Sequence, residues 1–213
     1  MTRGKEIAIL VSICAVPFIL LFLLMQTTPE YAAPKSVNAN QPARNQTEPA
    51  PRSFSYCFPL ELKSKDDCWY GVRHHDYPAT DIFAPKGTPI LAVVDGRIEE
   101  RCNTDYYKAW IKDRATYGGR YVSIIGADGW RYYYSHLDSV DPSIQVGSDV
   151  RAGQVIGTLG NSGNAASTKP HLHFGISRPT YAGDWKTRRG TLLPYYYLRA
   201  WERGLNMTPK KPE

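Results

Sequence analysis

The stretch His171-Leu172-His173-Phe174-Gly175-Ile176 has the alternating pattern of a β-strand. Successive side chains of a strand point to opposite faces, so the two histidines share one face and the three large apolar side chains share the other. Two imidazoles on one face are a natural start for a zinc site. Partly exposed strand histidines would show the same pattern, so the interpretation needs support from elsewhere in the chain.

That support comes from the other histidines. The chain has 5 histidines, and they fall in three short segments, each flanked by strand-like sequence. The first segment carries His74 and His75 ahead of Asp81, so that a histidine and this carboxylate could give a zinc ion one nitrogen and one oxygen. An interaction of Asp81 with a backbone turn is the alternative. His136 ends an aromatic strand-like run, where a side chain can reach a cleft.

Short apolar runs separated by Gly, Pro, Asp and Asn predict an all-β fold of antiparallel strands. Asp95-Gly96 and Asp128-Gly129 are typical hairpin turns. Residues 194–203 have the pattern of a short C-terminal helix, and residues 103–119 that of a polar, aromatic surface loop. The predicted strands cover residues 81–83, 89–94, 96–101, 121–125, 130–135, 155–159 and 171–176.

The amino terminus predicts a membrane anchor. Residues 7–25 carry no charge and are long enough to cross roughly 30 Å of hydrocarbon as a helix. A cleaved signal peptide is the rival, although its apolar region is usually about 7–15 residues long. Arg3 and Lys5 favour a cytoplasmic amino end, so the rest of the chain is expected outside the bacterial cytoplasmic membrane, on its periplasmic or extracellular side.

Composition divides the chain into four parts. Residues 1–25 form the predicted cytoplasmic stub and single-pass transmembrane helix. Residues 26–53 are rich in Pro, Thr, Asn and Gln without apolar periodicity, which is typical of a disordered linker. Residues 54–205 form the predicted folded domain, and residues 206–213 a flexible tail.

The predicted export guides the interpretation of the cysteines and of the net charge. Outside the cytoplasm thiols tend to oxidise, and a bridge between Cys57 and Cys68 is favoured because it closes a short loop. Spacing alone leaves Cys102 open as a partner. The net charge of +6 indicates attraction to anionic polymers at the cell surface, while export argues against nucleic acid as a partner.

Several linked motifs resemble those of the lysostaphin-type, LytM-like zinc metallopeptidases, which cut bacterial peptidoglycan. The resemblance covers residues 74–176, and the motifs stand in the order that the family has. They are the His…Asp element, Ile82-Phe83-Ala84-Pro85-Lys86-Gly87-Thr88-Pro89, Asp95-Gly96, Tyr134-Ser135-His136-Leu137, Gly147-Ser148-Asp149-Val150, Gly153-Gln154-Val155-Ile156-Gly157, Gly160-Asn161-Ser162-Gly163 and Pro170-His171-Leu172-His173-Phe174-Gly175.

The resemblance implies an antiparallel β-sheet with an open groove and one Zn²⁺ per chain. It implies that the ligands are His74, Asp81 and His173, and that His136 and His171 are the catalytic histidines that do not bind the metal. The commonest spacing in the family is His-x-x-x-Asp, whereas Tyr77 stands four residues before Asp81 here. The longer form points to His74, and His75 is the alternative ligand.

Three protein ligands leave a fourth position for water, as in catalytic zinc sites. No H-E-x-x-H motif is present, which excludes a thermolysin-like arrangement. The sequence therefore predicts a membrane-anchored zinc endopeptidase that acts on peptidoglycan stem peptides or cross-links during cell-wall remodelling. The alternative is a non-enzymatic LytM-like activator with an amidase or divisome partner. Such regulators typically lose site residues, and this chain keeps all of the expected positions.

Overall fold

The computed structural model of the protein describes residues 53–181 and 183–210. The predicted anchor and nearly all of the predicted linker lie outside these residues. Within the described part of the chain, no helix has the length and apolar character that a membrane crossing requires. The strands there are β1 Trp69–Tyr70, β2 Thr80–Phe83, β3 Pro89–Leu91, β4 Gly96–Cys102, β5 Tyr121–Gly126, β6 Arg131–Ser135, β7 Leu137–Val140, β8 Asp149–Val150, β9 Val155–Leu159 and β10 His171–Ser177.

The strands form two antiparallel sheets. A larger sheet has the order β1-β2-β10-β6-β5-β4-β8, and a smaller one has the order β3-β9-β7. All seven strands expected from the sequence are present. The prediction of an antiparallel β architecture is therefore confirmed, with β10 near the middle of the larger sheet.

The β10 strand packs both of its faces against protein. Leu172, Phe174 and Ile176 are fully buried in the hydrophobic core, as the alternating pattern predicts. On the other face His171 and His173 are also buried, with only 7% and 3% of their surface exposed. The two histidines are therefore held by neighbouring groups and are not solvent-exposed strand residues.

Between β6 and β7 the chain passes from the larger sheet to the smaller one at a single residue. Strand β6 ends at Ser135 and β7 begins at Leu137, and His136 between them has a φ of 65°. This left-handed conformation is uncommon for a residue with a side chain. It turns the backbone so that β7 pairs with β9. The sequence did not predict β7, because Asp138 and Ser139 interrupt its apolar pattern.

Two short α-helices complete the fold of the described residues. Helix α1 covers Trp185–Arg188 and begins after Asp184, whose carboxylate accepts a hydrogen bond from the N–H of Thr187. Helix α2 covers Tyr195–Trp201, in agreement with the predicted C-terminal helix. Its Trp201 is buried and stacks on Tyr56 with ring centroids 5.2 Å apart. A short 3-10 helix at Arg114–Thr116 lies in the predicted surface loop.

The predicted Cys57–Cys68 bridge does not form: Cys57, Cys68 and Cys102 are all free thiols. The Cys57 thiol donates a hydrogen bond to the Ala92 carbonyl at 3.2 Å. That contact ties Cys57 to the segment after β3, whereas Cys68 immediately precedes β1 at the edge of the larger sheet. Short spacing along the chain therefore did not bring the two thiols together. Burial also raises the pKa of Cys68 to about 11, which keeps its thiol protonated.

Candidate metal centre

Two neighbouring strands and one loop bring three potential metal ligands together. Asp81 lies on β2 and His173 on β10, and the two are direct partners in the strand register. His74 precedes β2 in a loop that is closed by a 2.7 Å hydrogen bond from its own N–H to the Ala79 carbonyl. One ligand atom from each of His74, Asp81 and His173 lies within 4.8 Å of the others.

Both ring nitrogens of His173 face oxygen acceptors. Its Nε2 lies 3.0 Å from the Arg189 carbonyl, and its Nδ1 lies 2.9 Å from Asp81 Oδ1. A neutral ring carries one proton, so a proton on Nε2 that is donated to the Arg189 carbonyl leaves a lone pair on Nδ1. A lone pair facing a carboxylate at that distance is repulsive unless a cation, either a second proton or a metal ion, lies there. A carbonyl that accepts from the other ring nitrogen, as that of Arg189 would here, commonly orients a metal-binding histidine.

His74 and His75 differ sharply in environment. The His74 side chain is 12% exposed and its Nε2 lies 3.9 Å from Asp81 Oδ2. The His75 side chain is 76% exposed and faces Asp76 instead. The Asp76 N–H donates a long 3.3 Å hydrogen bond to His74 Nδ1. Metal binding at Nε2 would replace this contact, because the ring proton then moves to Nδ1. Only His74 is near the other two ligands.

The electrostatics of the cluster favour the forms that bind metals. Burial, reinforced by the neighbouring His173, lowers the pKa of His74 to about 4. Burial by itself would raise the pKa of Asp81, but the neighbouring His173 and His74 lower it to about 2. Near neutral pH His74 is therefore unprotonated and Asp81 is ionised, as a metal ligand must be. Two imidazole nitrogens and one carboxylate suit Zn²⁺ and leave one coordination position open.

His136 and His171 lie beside this cluster, and each binds a backbone carbonyl through its Nδ1. His136 Nδ1 donates to the Ser162 carbonyl at 2.9 Å, and His171 Nδ1 donates to the Lys169 carbonyl at 2.8 Å. In the neutral rings each Nε2 then has a free lone pair. The two ring centroids are 4.9 Å apart, and that of His136 is 6.0 Å from that of His173. Burial lowers the pKa of His136 to about 3, with smaller contributions from His173 and His171.

A cleft of about 190 Å³ opens over the cluster. Its walls include aromatic and cationic groups that sequence reasoning did not assign, most notably Arg188 and Arg189 at the end of α1. The contact from Arg189 to His173 is made by a backbone carbonyl, which no side-chain pattern reveals. The cleft lining also contains His74, Tyr77, Tyr133, His136, His173 and Trp185.

The described residues thus form an antiparallel β fold with a candidate metal site, and the family comparison places the chain. Residues 75–185, just over half of the chain, match the model of Peptidase family M23. The chain therefore belongs to this family, as the motifs had indicated.

The chain is similar to several curated proteins over part of their length. It is 33% identical over 160 residues to the L-Ala--D-Glu endopeptidase of Bacillus subtilis (strain 168), and this alignment covers 70% of this chain and 44% of that protein. It is 36% identical over 105 residues to the glycyl-glycine endopeptidase ALE-1 of Staphylococcus capitis, and this alignment covers 49% of this chain and 25% of that protein. The chain thus spans less than half the length of these relatives.

A solved structure supports the fold. A LytM protein of Ruminococcus gnavus ATCC 29149 superposes with a TM-score of 0.54 and 24% identity, covering 71% of this chain and 62% of that one. At this level of identity the likeness concerns the architecture alone.

Proposed function

We propose that the protein is a zinc metallo-endopeptidase that hydrolyses peptide bonds in peptidoglycan stem peptides or cross-links. The observation that carries the proposal is the cluster of His74, Asp81 and His173 beside two histidines whose Nδ1 atoms are hydrogen-bonded to backbone carbonyls. Relatives in the family carry matching names. Besides the two above, a protein of Vibrio cholerae that is 36% identical over 95 residues is named peptidoglycan DD-endopeptidase ShyC.

The residues divide the chemistry between them. His74 Nε2, His173 Nδ1 and Asp81 would hold the zinc ion, which supplies Lewis acidity and lowers the pKa of water at its open position. His136 stays neutral near pH 7 because burial lowers its pKa, so its Nε2 can accept the proton of the attacking water. His171, with its Nδ1 bound to Lys169, is oriented to contact the carbonyl oxygen or to carry the proton to the leaving amine.

Anchoring at the bacterial cytoplasmic membrane is part of the proposal. The uncharged run of residues 7–25 and the basic residues before it support a single-pass helix, with the peptidase domain on the periplasmic or extracellular side. Peptidoglycan lies on that side, so the location and the substrate agree.

The test uses the full-length chain with its zinc content measured and purified peptidoglycan as substrate. Product masses are recorded with and without a chelator, and after zinc is added back. We expect new amino termini that disappear with the chelator and in His173→Ala. The matched control is His75→Ala, which changes a histidine outside the cluster and retains cleavage.

Two outcomes would contradict the proposal. One is bound zinc with intact peptidoglycan and unchanged product masses. The other is a His173→Ala chain that still supports the cellular function in full, which would favour the amidase activator.

A further inference from the structure

The backbone of Arg189 is fixed against the centre of the site. Its carbonyl accepts the hydrogen bond from His173 Nε2, and it reaches β10 because Gly175 has no side chain. A Cβ added at Gly175 would overlap the Arg189 carbonyl, with no room for both. Arg189 therefore cannot move away from the cluster without breaking a contact that holds a candidate ligand.

The side chain of Arg189 packs against two aromatic rings but has no acidic partner among the described residues. Its guanidinium carbon lies 4.0 Å from the ring centroid of Tyr77 and 5.4 Å from that of Trp185. Its Nε is buried and has no hydrogen-bond partner. Among the described residues, no carboxylate lies within 4.0 Å of its nitrogens.

The neighbouring Arg188 differs from Arg189 because its contacts are those of a structural residue. Arg188 forms an ion pair with Glu100 and lies over the rings of Tyr121 and Tyr133. Its charge is therefore balanced within the protein. Both arginines line the same cleft, and Arg189 is the one whose charge is not balanced by a carboxylate.

The guanidinium of Arg189 is separated from the metal ligands by one aromatic ring. The Tyr77 ring on which it lies has its centroid 4.5 Å from that of His74 and 5.6 Å from that of His173. Consecutive Cα atoms of a peptide are about 3.8 Å apart. An anionic group that reaches Arg189 while a carbonyl lies over the ligands therefore fits a residue close to the bond that is cut.

We propose that Arg189 binds a free carboxylate of the substrate next to the scissile bond, so that the site selects anionic peptides over neutral ones. The planar guanidinium matches a carboxylate with two parallel hydrogen bonds. A neutral bridge, such as a run of glycines, would leave this charge without a partner in the closed complex. The inference rests on the proposed function, since it names the substrate class of the same cleft.

The test measures binding and cleavage with two peptides. The probe is L-Ala-γ-D-Glu-L-Lys with an amidated carboxyl end and the glutamyl α-carboxylate either free or amidated. Binding is measured by calorimetry on zinc-loaded full-length protein in a His136→Gln background, so that no peptide is consumed. Cleavage of the same peptides is followed by mass spectrometry with His136 intact.

We expect the free carboxylate to bind at least about tenfold more tightly than the amide, in line with a hydrogen bond to a charged group. Arg189→Gln should remove this preference by weakening the acid alone, and Arg189→Lys should keep only part of it. The matched control is Arg178→Gln, because Arg178 also lies over an aromatic ring, Trp130, at 4.0 Å but does not line the cleft. Unchanged zinc content and melting temperature show that each variant is folded.

The inference is overturned if the wild-type site binds both peptides equally or if Arg189→Gln keeps the preference. It is also overturned if the bond cut in peptidoglycan has no carboxylate on either flanking residue. Failure of the proposed function gives a different result, in which the carboxylate preference and its loss in Arg189→Gln persist but no substrate is cut.

Discussion

His173 Nδ1 lies 2.9 Å from Asp81 Oδ1, and the two residues are direct partners across β10 and β2. When Nε2 of the same neutral ring donates its proton to the Arg189 carbonyl, the two facing atoms both carry lone pairs. The sheet register thus builds a position that needs a cation, and His74 completes it from the adjoining loop.

Asp81→Asn should prevent stoichiometric zinc binding, because the amide lacks the charge that attracts the ion and balances it. In the wild-type chain, zinc at 100 times its dissociation constant should stabilise the fold by about 2.7 kcal/mol, which Asp81→Asn should lose. Metal content and thermal unfolding with and without zinc measure both effects. Asp76→Asn, which changes an exposed carboxylate at the cleft, is the control and should keep zinc. Equal zinc binding by both variants would remove Asp81 from the ligand set.

The paired histidines of the first motif give a second prediction. His74→Ala should lose zinc and peptidase activity, because only this ring approaches Asp81. His75→Ala should retain both, because its side chain is 76% exposed and faces Asp76. Metal content after dialysis against a weak chelator distinguishes the two variants. The reverse pattern, with zinc lost only in His75→Ala, would mean that the loop rearranges when the metal binds.

The strand pattern of the sequence was sufficient for much of this site. Alternation placed His171 and His173 on one face and their apolar neighbours in the core, and this arrangement is present. The linked motifs pointed to His74 and Asp81, which the structure brings next to His173. Alternation follows from backbone geometry alone, so it can be recognised without knowing which strands are neighbours.

Other features depend on tertiary contacts that leave no local pattern. The Arg189 carbonyl acts through the backbone, and the contact is possible because Gly175 leaves space on β10. The left-handed turn at His136 follows from the change of sheet, not from the residue type. The expected Cys57–Cys68 bridge was wrong because short spacing does not fix where the thiols lie.

Acid should destabilise the zinc-free protein partly through His136. Burial lowers its pKa to about 3 in the folded state, whereas an unfolded histidine titrates near 6.5. Between these values the unfolded chain holds more protons, so the free energy of unfolding falls as the pH decreases, by up to about 1.4 kcal/mol per pH unit for this group. His74 adds a change of the same sign, with a folded pKa of about 4.

Urea unfolding of the zinc-free protein between pH 4 and pH 7 tests this effect. His136→Gln should show a shallower dependence on pH than the wild-type chain, while His75→Gln, in which an exposed ring is replaced, should follow the wild-type slope. The difference between the variants isolates the contribution of His136 from that of His74. Parallel slopes for all three proteins would show that the His136 ring is protonated to the same extent in both states.

The last prediction concerns a buried ion pair that supports the sheet. The Arg131 side chain is 1% exposed and makes two 2.6 Å hydrogen bonds to Glu99, which also accepts one from Ser123. Burial by itself would raise the pKa of Glu99, but these hydrogen bonds and the Arg131 charge lower it. Glu99→Gln leaves a buried guanidinium without a counter-charge, which should cost about 3–5 kcal/mol.

The matched control for this pair is Asp138→Asn. Asp138 pairs with Lys86 at 3.0 Å, but both side chains are about half exposed, so the loss should stay below about 1 kcal/mol. Chemical unfolding at pH 7 compares the two variants in the same chain. Similar small losses would mean that water reaches Arg131 once Glu99 is neutral, so that the guanidinium does not depend on its carboxylate partner.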